Sequence, residues 1–123
     1  MAARYYQDLA VWQKSMDLVE AIYRVSRQFP AEERFGLTDQ VRRSAISIPA
    51  NIAEGQGRLH QGDFRRFLSI ARGSLMETET HIEVALRLRM IEHNEVQSIH
   101  GLIQDVGRLL NGLIRSMGTD AGK

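Results

Sequence analysis

Four ionisable side chains in the middle of the chain, Glu77, Glu79, His81 and Glu83, are of the types that hold di-iron centres inside helical bundles. Such a centre needs a Glu-x-x-His pair on each of two helices. The sequence has no such pair, because Glu77 and His81 are four residues apart. Alternating positions also spread these side chains around a helix instead of bringing them together. We therefore expect a solvated polar face here and no metal site.

No other pattern in the sequence supplies catalytic machinery. The chain has no cysteine, so no thiolate is available as a nucleophile or metal ligand. His60, His93 and His100 stand at no metal-ligand spacing. The run Gly55-Gln56-Gly57 matches neither common phosphate-binding loop. We expect a protein with no catalytic residue, no metal and no cofactor, and therefore not an enzyme.

Basic residues are concentrated between positions 40 and 72. The net charge of the chain is only +1, but fourteen of its sixteen basic residues are Arg, whose planar guanidinium matches phosphate. Two interpretations stay open: an ordinary solvated surface in an Arg-rich protein, or a surface that binds the phosphates of a nucleic acid. Bases would stack on aromatic neighbours of that surface, yet the apolar spacing predicts that Phe64 and Phe67 are core residues. The candidate nucleic-acid-binding residues are Arg42, Arg43, Arg58, Arg65, Arg66 and Arg72.

A polar stripe follows the same region. Arg43, Ser47, Asn51, Glu54 and Arg58 are spaced by three or four residues, so they share one side of a helix, which we expect to lie opposite its apolar side. An exposed Glu54–Arg58 pair on that side stabilises a helix by only about 0.2–0.5 kcal/mol. The spacing alone favours a plain solvent face, and the alternative is that the stripe forms part of a phosphate-binding surface.

Apolar residues recur every three or four positions in four segments, which predicts four helices that position all of these side chains. We expect Asp8 and Asp63 to be the N-caps of the first and third helices. The helices are predicted at about residues 9–28, 37–56, 63–89 and 94–117. The first carries two adjacent apolar rows, a wider face than one helix–helix seam requires: Trp12, Met16, Val19, Tyr23 and Ser26, then Leu18, Ile22, Val25 and Phe29.

The fourth helix has the most regular apolar row. We expect these residues to be buried: Val96, Ile99, Ile103, Val106, Leu110, Leu113 and Met117. Surplus apolar residues and three interior glycines stand outside that row: Leu102, Leu109, Ile114, Gly101, Gly107 and Gly112. Two explanations stay open, namely a second contact surface for another subunit and one wide buried face within a single bundle.

Short turns between the predicted helices force neighbouring helices to be antiparallel. The sequence therefore predicts an all-α fold, a single domain over residues 1–123, built as an antiparallel up-and-down four-helix bundle. Pro49 removes a backbone donor inside the second helix, so we expect a kink there. The chain shows no secretory signal and no apolar stretch of about 18 residues, so we expect a cytoplasmic protein without membrane contact.

Three segments carry a resemblance to a known family: DLAVWQKSMDLV (8–19), FGLTDQVRRSAISIPANIAEG (35–55) and FRRFLSIARGSLMETE (64–79). They are similar to the bacterial four helix bundle protein family, first found encoded in intervening sequences of 23S ribosomal RNA genes. The Ser-Ile-Pro-x-Asn-Ile-Ala-Glu-Gly run at 47–55 is the most specific part of the match. The chain also resembles, more distantly, the accessory protein of diversity-generating retroelements.

The resemblance implies a ring-shaped homopentamer that associates with RNA or DNA and has no known catalysis. In the retroelement relative the implied partner is a reverse transcriptase. Arg42 and Arg43 fall in the QVRRSA-type segment of the family, and Arg72 falls in its ARGSL segment. The residues of the structural motif are Ser47, Pro49, Asn51, Glu54 and Gly55, and we expect Asn51 and Glu54 in particular to serve the kink or subunit contacts. The alternative is a scaffold for protein–protein interaction that never contacts nucleic acid.

Overall fold

A computed structural model describes residues 5–118 of the chain. Within this range the chain forms four α-helices, two short 3-10 turns and no strand, which confirms the all-α four-helix prediction. The helices are α1 (Ala10–Ser26), α2 (Leu37–Gln56), α3 (Gln61–Arg87) and α4 (His93–Gly118). The predicted bounds were right for α2, too long by one residue at the start and two at the end for α1, two residues late for α3, and one residue short at each end for α4.

The predicted N-caps are wrong at both helices. Asp8 lies in a 3-10 turn, Tyr6–Asp8, and Leu9 occupies the N-cap position of α1 without a side-chain cap bond. The turn is fastened instead by the Gln13 side chain, whose Nε2 donates to the backbone oxygen of Gln7 at 2.8 Å. Asp63 lies inside the first turn of α3, where its charge still favours the positive end of the helix dipole.

Two of the predicted apolar rows account for much of the core. Along α4 every residue of the predicted row is buried except Leu113, which is half-buried. Along α1 the second row, Leu18, Ile22, Val25 and Phe29, is buried. The first row of α1 is half-buried except for its last member, Ser26, which is buried. The bundle therefore buries the second row of α1 fully and the first row only in part.

Helices α2 and α3 meet through small and hydroxyl-bearing residues. The Thr78 hydroxyl donates to Ser44 Oγ at 2.8 Å and lies 2.9 Å from the Ser74 backbone oxygen. The Ser74 and Ser47 hydroxyls are 2.8 Å apart, and Asn51 Nδ2 donates to Ser47 Oγ at 2.9 Å. We call these five side chains the hydroxyl ladder. Each buried hydroxyl of the α2–α3 interface has a hydrogen-bond partner within this ladder.

A close backbone approach continues this interface towards the α2–α3 turn. A β-carbon placed on Gly55 would lie 2.7 Å from the Cβ of Phe67 and 3.0 Å from Cδ1 of Phe64. Neither distance leaves room for a methyl group, so glycine lets α3 lie directly against α2 at this level. From Gly55 to Ser44 the contacts on α3 advance from Phe67 to Thr78.

The bundle is closed by contacts between α1 and α4. Gln28 Nε2 donates to a Glu95 carboxylate oxygen at 2.5 Å, and Lys14 lies 3.8 Å from Asp105. At the start of α1, residues 9–11 line a groove with residues 108–116 of α4. Pro49 lies within α2, which is continuous from Leu37 to Gln56; the kink there stays a prediction.

The α3–α4 turn is held by backbone bonds of its own. Met90 N–H donates to Ala85 O at 2.9 Å, and Arg89 N–H donates to Leu86 O at 3.0 Å. This pair of hydrogen bonds is typical of a helix that ends in a Schellman motif. Arg89 takes the left-handed conformation, φ 62°, that glycine usually supplies there. Among the described helices, none is both long and apolar enough to span a bilayer.

Candidate nucleic-acid interface

Two of the six candidate arginines meet around one aromatic ring beside the α2–α3 turn. The guanidinium carbon of Arg58 lies 4.9 Å from the centroid of Phe67, and that of Arg66 lies 4.7 Å from it. Both distances are within the range of a cation–π interaction. We call Arg58, Phe67 and Arg66 the arginine–aromatic cluster.

Carboxylates steady both guanidinium groups of the arginine–aromatic cluster. Arg58 donates to Glu54 at 2.6 Å, and Arg66 lies 3.7 Å from Asp63. The two arginine side chains nonetheless remain 43% and 59% exposed. Their planar groups are therefore positioned by a ring and an ion pair while part of each stays open to solvent.

The prediction that Phe67 is a core residue was wrong. Phe67 is half-buried and does not pack against the buried core, whereas Phe64 does. The Cβ of Phe67 still faces Gly55 in the last turn of α2. The ring is covered on its outer side by arginines instead of by another helix.

Arg65 and Arg72 form a second, separate group. They are seven residues apart on α3 and so lie on one side of it, about 10 Å from each other, while Arg66 is rotated about 100° away from Arg65. Arg65 is half-buried and Arg72 is exposed. Neither makes an ion pair with any residue of the described range, so both charges are available to a ligand.

Arg42 serves the fold instead of an open surface. Its Nε donates to Ser26 Oγ at 2.7 Å, and its guanidinium carbon lies 4.5 Å from the centroid of Tyr23. It thereby ties α2 to the end of α1. Arg43, one position on, is exposed and donates to Asp39 at 3.0 Å. The six arginines are thus distributed over four places on the bundle.

The polar residues of the 47–55 motif are mostly structural. Ser47 and Asn51 were predicted on a solvent-facing stripe opposite the apolar side, and this is wrong, because both are half-buried in the hydroxyl ladder. Pro49 and Gly55 are buried. Glu54 alone is exposed, where it pairs with Arg58. The motif therefore fastens α2 to α3 and steadies one guanidinium of the arginine–aromatic cluster.

A partly exposed apolar surface crosses α1 and α2. Met16 and Tyr23 are half-buried without belonging to the packed core. Arg42 covers Tyr23, and Ile46, one turn further along α2, is 43% exposed. We call Met16, Tyr23 and Ile46 the α1–α2 apolar face. The α4 residues Leu102, Leu109 and Ile114, by contrast, pack against the core, which favours the wide buried face over a second contact surface.

The carboxylates and histidines of α3 do not converge on a metal. Glu77 lies 3.5 Å from His81 Nε2, while Glu83 pairs with Arg87. No group of three metal-ligating side chains occurs in the described part of the chain. His81 Nε2 and His100 Nε2 are buried atoms without a hydrogen-bond partner there, a detail that the sequence pattern did not reveal.

The helix count and the connected core define a four-helix bundle protein with an arginine–aromatic cluster beside its α2–α3 turn. The chain belongs to the 23S rRNA-intervening sequence protein family, whose sequence profile matches residues 7–112. This confirms the resemblance carried by the three sequence segments. A comparison with curated proteins gave no match.

A solved structure supports the same assignment. It is the crystal structure of a protein of unknown function from the S23 ribosomal protein family of Bacteroides thetaiotaomicron. The two chains superpose with a TM-score of 0.79 at 29% sequence identity, over 85% of this chain and 98% of the other.

Proposed function

We propose that this protein is a non-catalytic, cytoplasmic, homo-oligomeric bundle that associates with RNA or another nucleic acid through arginines of α3 and of the α2–α3 turn. A protein that handles nucleic acid, such as a reverse transcriptase, is a second partner of the same surface. The family name mentions an intervening sequence of 23S rRNA, which makes RNA the first nucleic acid to test.

The arginine–aromatic cluster is the observation that carries the proposal. Guanidinium groups bind nucleic acid both as planar forks on phosphate and by stacking on bases, and a group that is already oriented loses less conformational freedom on binding. Phe67 orients Arg58 and Arg66 in this way. Arg65 and Arg72 add two charges that no carboxylate of the described range neutralises.

A salt titration of nucleic-acid binding tests this proposal. Fluorescence anisotropy of a labelled RNA or DNA, between about 50 and 200 mM salt, gives the slope of log K against log salt. The variant Arg65→Ala/Arg72→Ala should bind more weakly. For a single strand its slope should be shallower by about 1.4, since each phosphate contact contributes roughly 0.7 to the magnitude of the slope. Arg115→Ala, an exposed arginine of α4, is the matched control and should leave both quantities unchanged.

Two results would contradict the proposal. Binding by the double variant that equals binding by the unsubstituted protein would remove these arginines from the surface. Absence of binding to every RNA and DNA tested at low salt would remove nucleic acid as the ligand and favour the scaffold for protein–protein interaction.

Self-association is assigned to the α1–α2 apolar face. A soluble protomer rarely leaves a continuous apolar surface open unless another protein covers it. Native mass spectrometry should give a complex of five 14.0 kDa protomers. Ile46→Glu should dissociate it, because a charge would enter a buried contact. Val84→Glu, at an exposed apolar position of α3, is the control, and a monomeric unsubstituted protein would contradict this part.

A further inference from the structure

The α2–α3 turn presents an apolar side chain to solvent beside the arginine–aromatic cluster. Leu59 is 96% exposed, and it directly follows Arg58. His60, the next residue, is exposed as well. Neither side chain is used by the fold within the described part of the chain. Two planar cations and one projecting apolar group therefore lie at the same end of the bundle.

The charge at this end is small. Arg58 and Arg66 are each within ion-pair distance of a carboxylate, Glu54 and Asp63, so the cluster and its carboxylates carry no net charge. A duplex is bound chiefly through many phosphate contacts along a rigid backbone, and its base faces are hidden in the stack. A nearly neutral cluster at a turn offers few such contacts.

An unpaired strand exposes groups that can bind to this surface. Its bases expose flat apolar faces that stack on aromatic rings and on guanidinium planes. The open parts of Arg58 and Arg66 are such planes, and each is backed by the Phe67 ring. Leu59 offers an apolar contact to a base or a sugar that has left its stack.

We infer that the α2–α3 turn binds unpaired nucleotides of a single strand or loop, with bases stacked on Arg58 and Arg66 and in contact with Leu59. This rests on the proposed function and adds the class of nucleic acid to it. Affinity from stacking depends weakly on salt, so the turn contributes less to the salt slope than Arg65 and Arg72 do.

The test compares one strand in two states. A labelled RNA of about 12 nucleotides, within the usual site size of single-strand binders, is titrated by anisotropy alone and after annealing to its complement. The single strand should bind about tenfold more tightly. Leu59→Ser should weaken single-strand binding about fivefold, since it removes an apolar contact, and leave duplex binding unchanged, and Leu59→Trp should strengthen single-strand binding.

The α3–α4 turn provides the matched control. Leu88 is 60% exposed and follows Arg87, which pairs with Glu83 as Arg58 pairs with Glu54, but no aromatic ring backs that arginine among the described residues. Leu88→Ser should change neither affinity. If the single strand and the duplex bind with equal affinity, or if Leu59→Ser does not change the affinity for the single strand, this inference is overturned and the proposed function stands. Loss of all binding in the unsubstituted protein overturns both.

Discussion

The α2–α3 interface and the α4 row hold the same bundle together by different means. The α4 row buries large aliphatic side chains such as Val106 and Leu110. The α2–α3 interface buries a glycine and the hydroxyls of Ser44 and Thr78, and brings the two backbones close. The first region depends on the apolar area removed from water, and the second depends on a fit that tolerates no added atoms and no missing partner.

This difference explains which parts of the sequence look specific. Any aliphatic residue of similar volume can fill a position in an apolar row, so the row identifies a helix but no family. Ser47, Asn51 and Gly55 have no such substitutes. The first two form specific hydrogen bonds, and Gly55 leaves the space that α3 occupies. The most recognisable run of the chain is therefore the one that fixes the register of two helices.

The largest effect is expected from a cavity in the α4 row. Leu110→Ala should lower the free energy of unfolding by about 3 kcal/mol, since it removes a fully buried side chain and leaves a void. Leu102→Ala, at a half-buried flanking position, should cost clearly less. Urea denaturation followed by circular dichroism at one protein concentration measures both, and equal losses would show that the row is not the centre of the core.

A smaller but sharper effect is expected at Gly55. Gly55→Ala should lower the free energy of unfolding by about 2 kcal/mol, because the new methyl group would meet the Cβ of Phe67, which cannot turn aside. Gly73→Ala, on the same pair of helices but with no heavy atom within 4 Å, should not destabilise the protein. A stabilised Gly55→Ala variant would mean that α2 and α3 do not approach as described.

The contribution of the hydroxyl ladder to stability can be measured with a substitution that keeps the side-chain volume nearly constant. Thr78→Val removes the hydroxyl that bonds to Ser44 and Ser74 and should lower the free energy of unfolding by about 1 kcal/mol. Thr80→Val removes an exposed hydroxyl that bonds only to the Met76 backbone oxygen, and little change is expected. If the two variants have the same stability, the ladder contributes nothing beyond packing.

The smallest change is expected on the outer side of α4, and it is favourable. Gly101→Ala should raise the free energy of unfolding by about 0.5–1 kcal/mol, because alanine loses less backbone entropy in a helix. Nothing lies within 4 Å of the added methyl group in the protomer. Thermal denaturation measures the gain. A loss of stability would place another subunit against α4 and revive the second contact surface.

Much of the fold followed from the spacing of apolar residues. The α4 row was predicted almost completely, because a helix packed on one side repeats its buried positions every three or four residues. The N-caps at Asp8 and Asp63 were wrong, because neighbouring residues compete for a helix start and propensity alone does not rank them.

The site was harder to predict than the fold. Arg42 and Arg58 have the same chemistry, yet one bonds to Ser26 on α1 and the other lies on Phe67. Which neighbour a side chain meets depends on the helix that lies beside it in space, and one sequence does not state this. Phe67 looked like a core residue because apolar spacing does not reveal that arginines, and not another helix, flank its ring.

The groove between the start of α1 and the end of α4 has a consequence for chain connectivity. Leu9 and Val11 line it together with Leu113 and Ser116, so the N-terminal end of α1 and the C-terminal end of α4 lie side by side. A circular permutant that links α4 to α1 and begins at Gln61 should fold to the same bundle, since every pair of packed helices is retained. Such a chain would keep the architecture while it opens the α2–α3 turn.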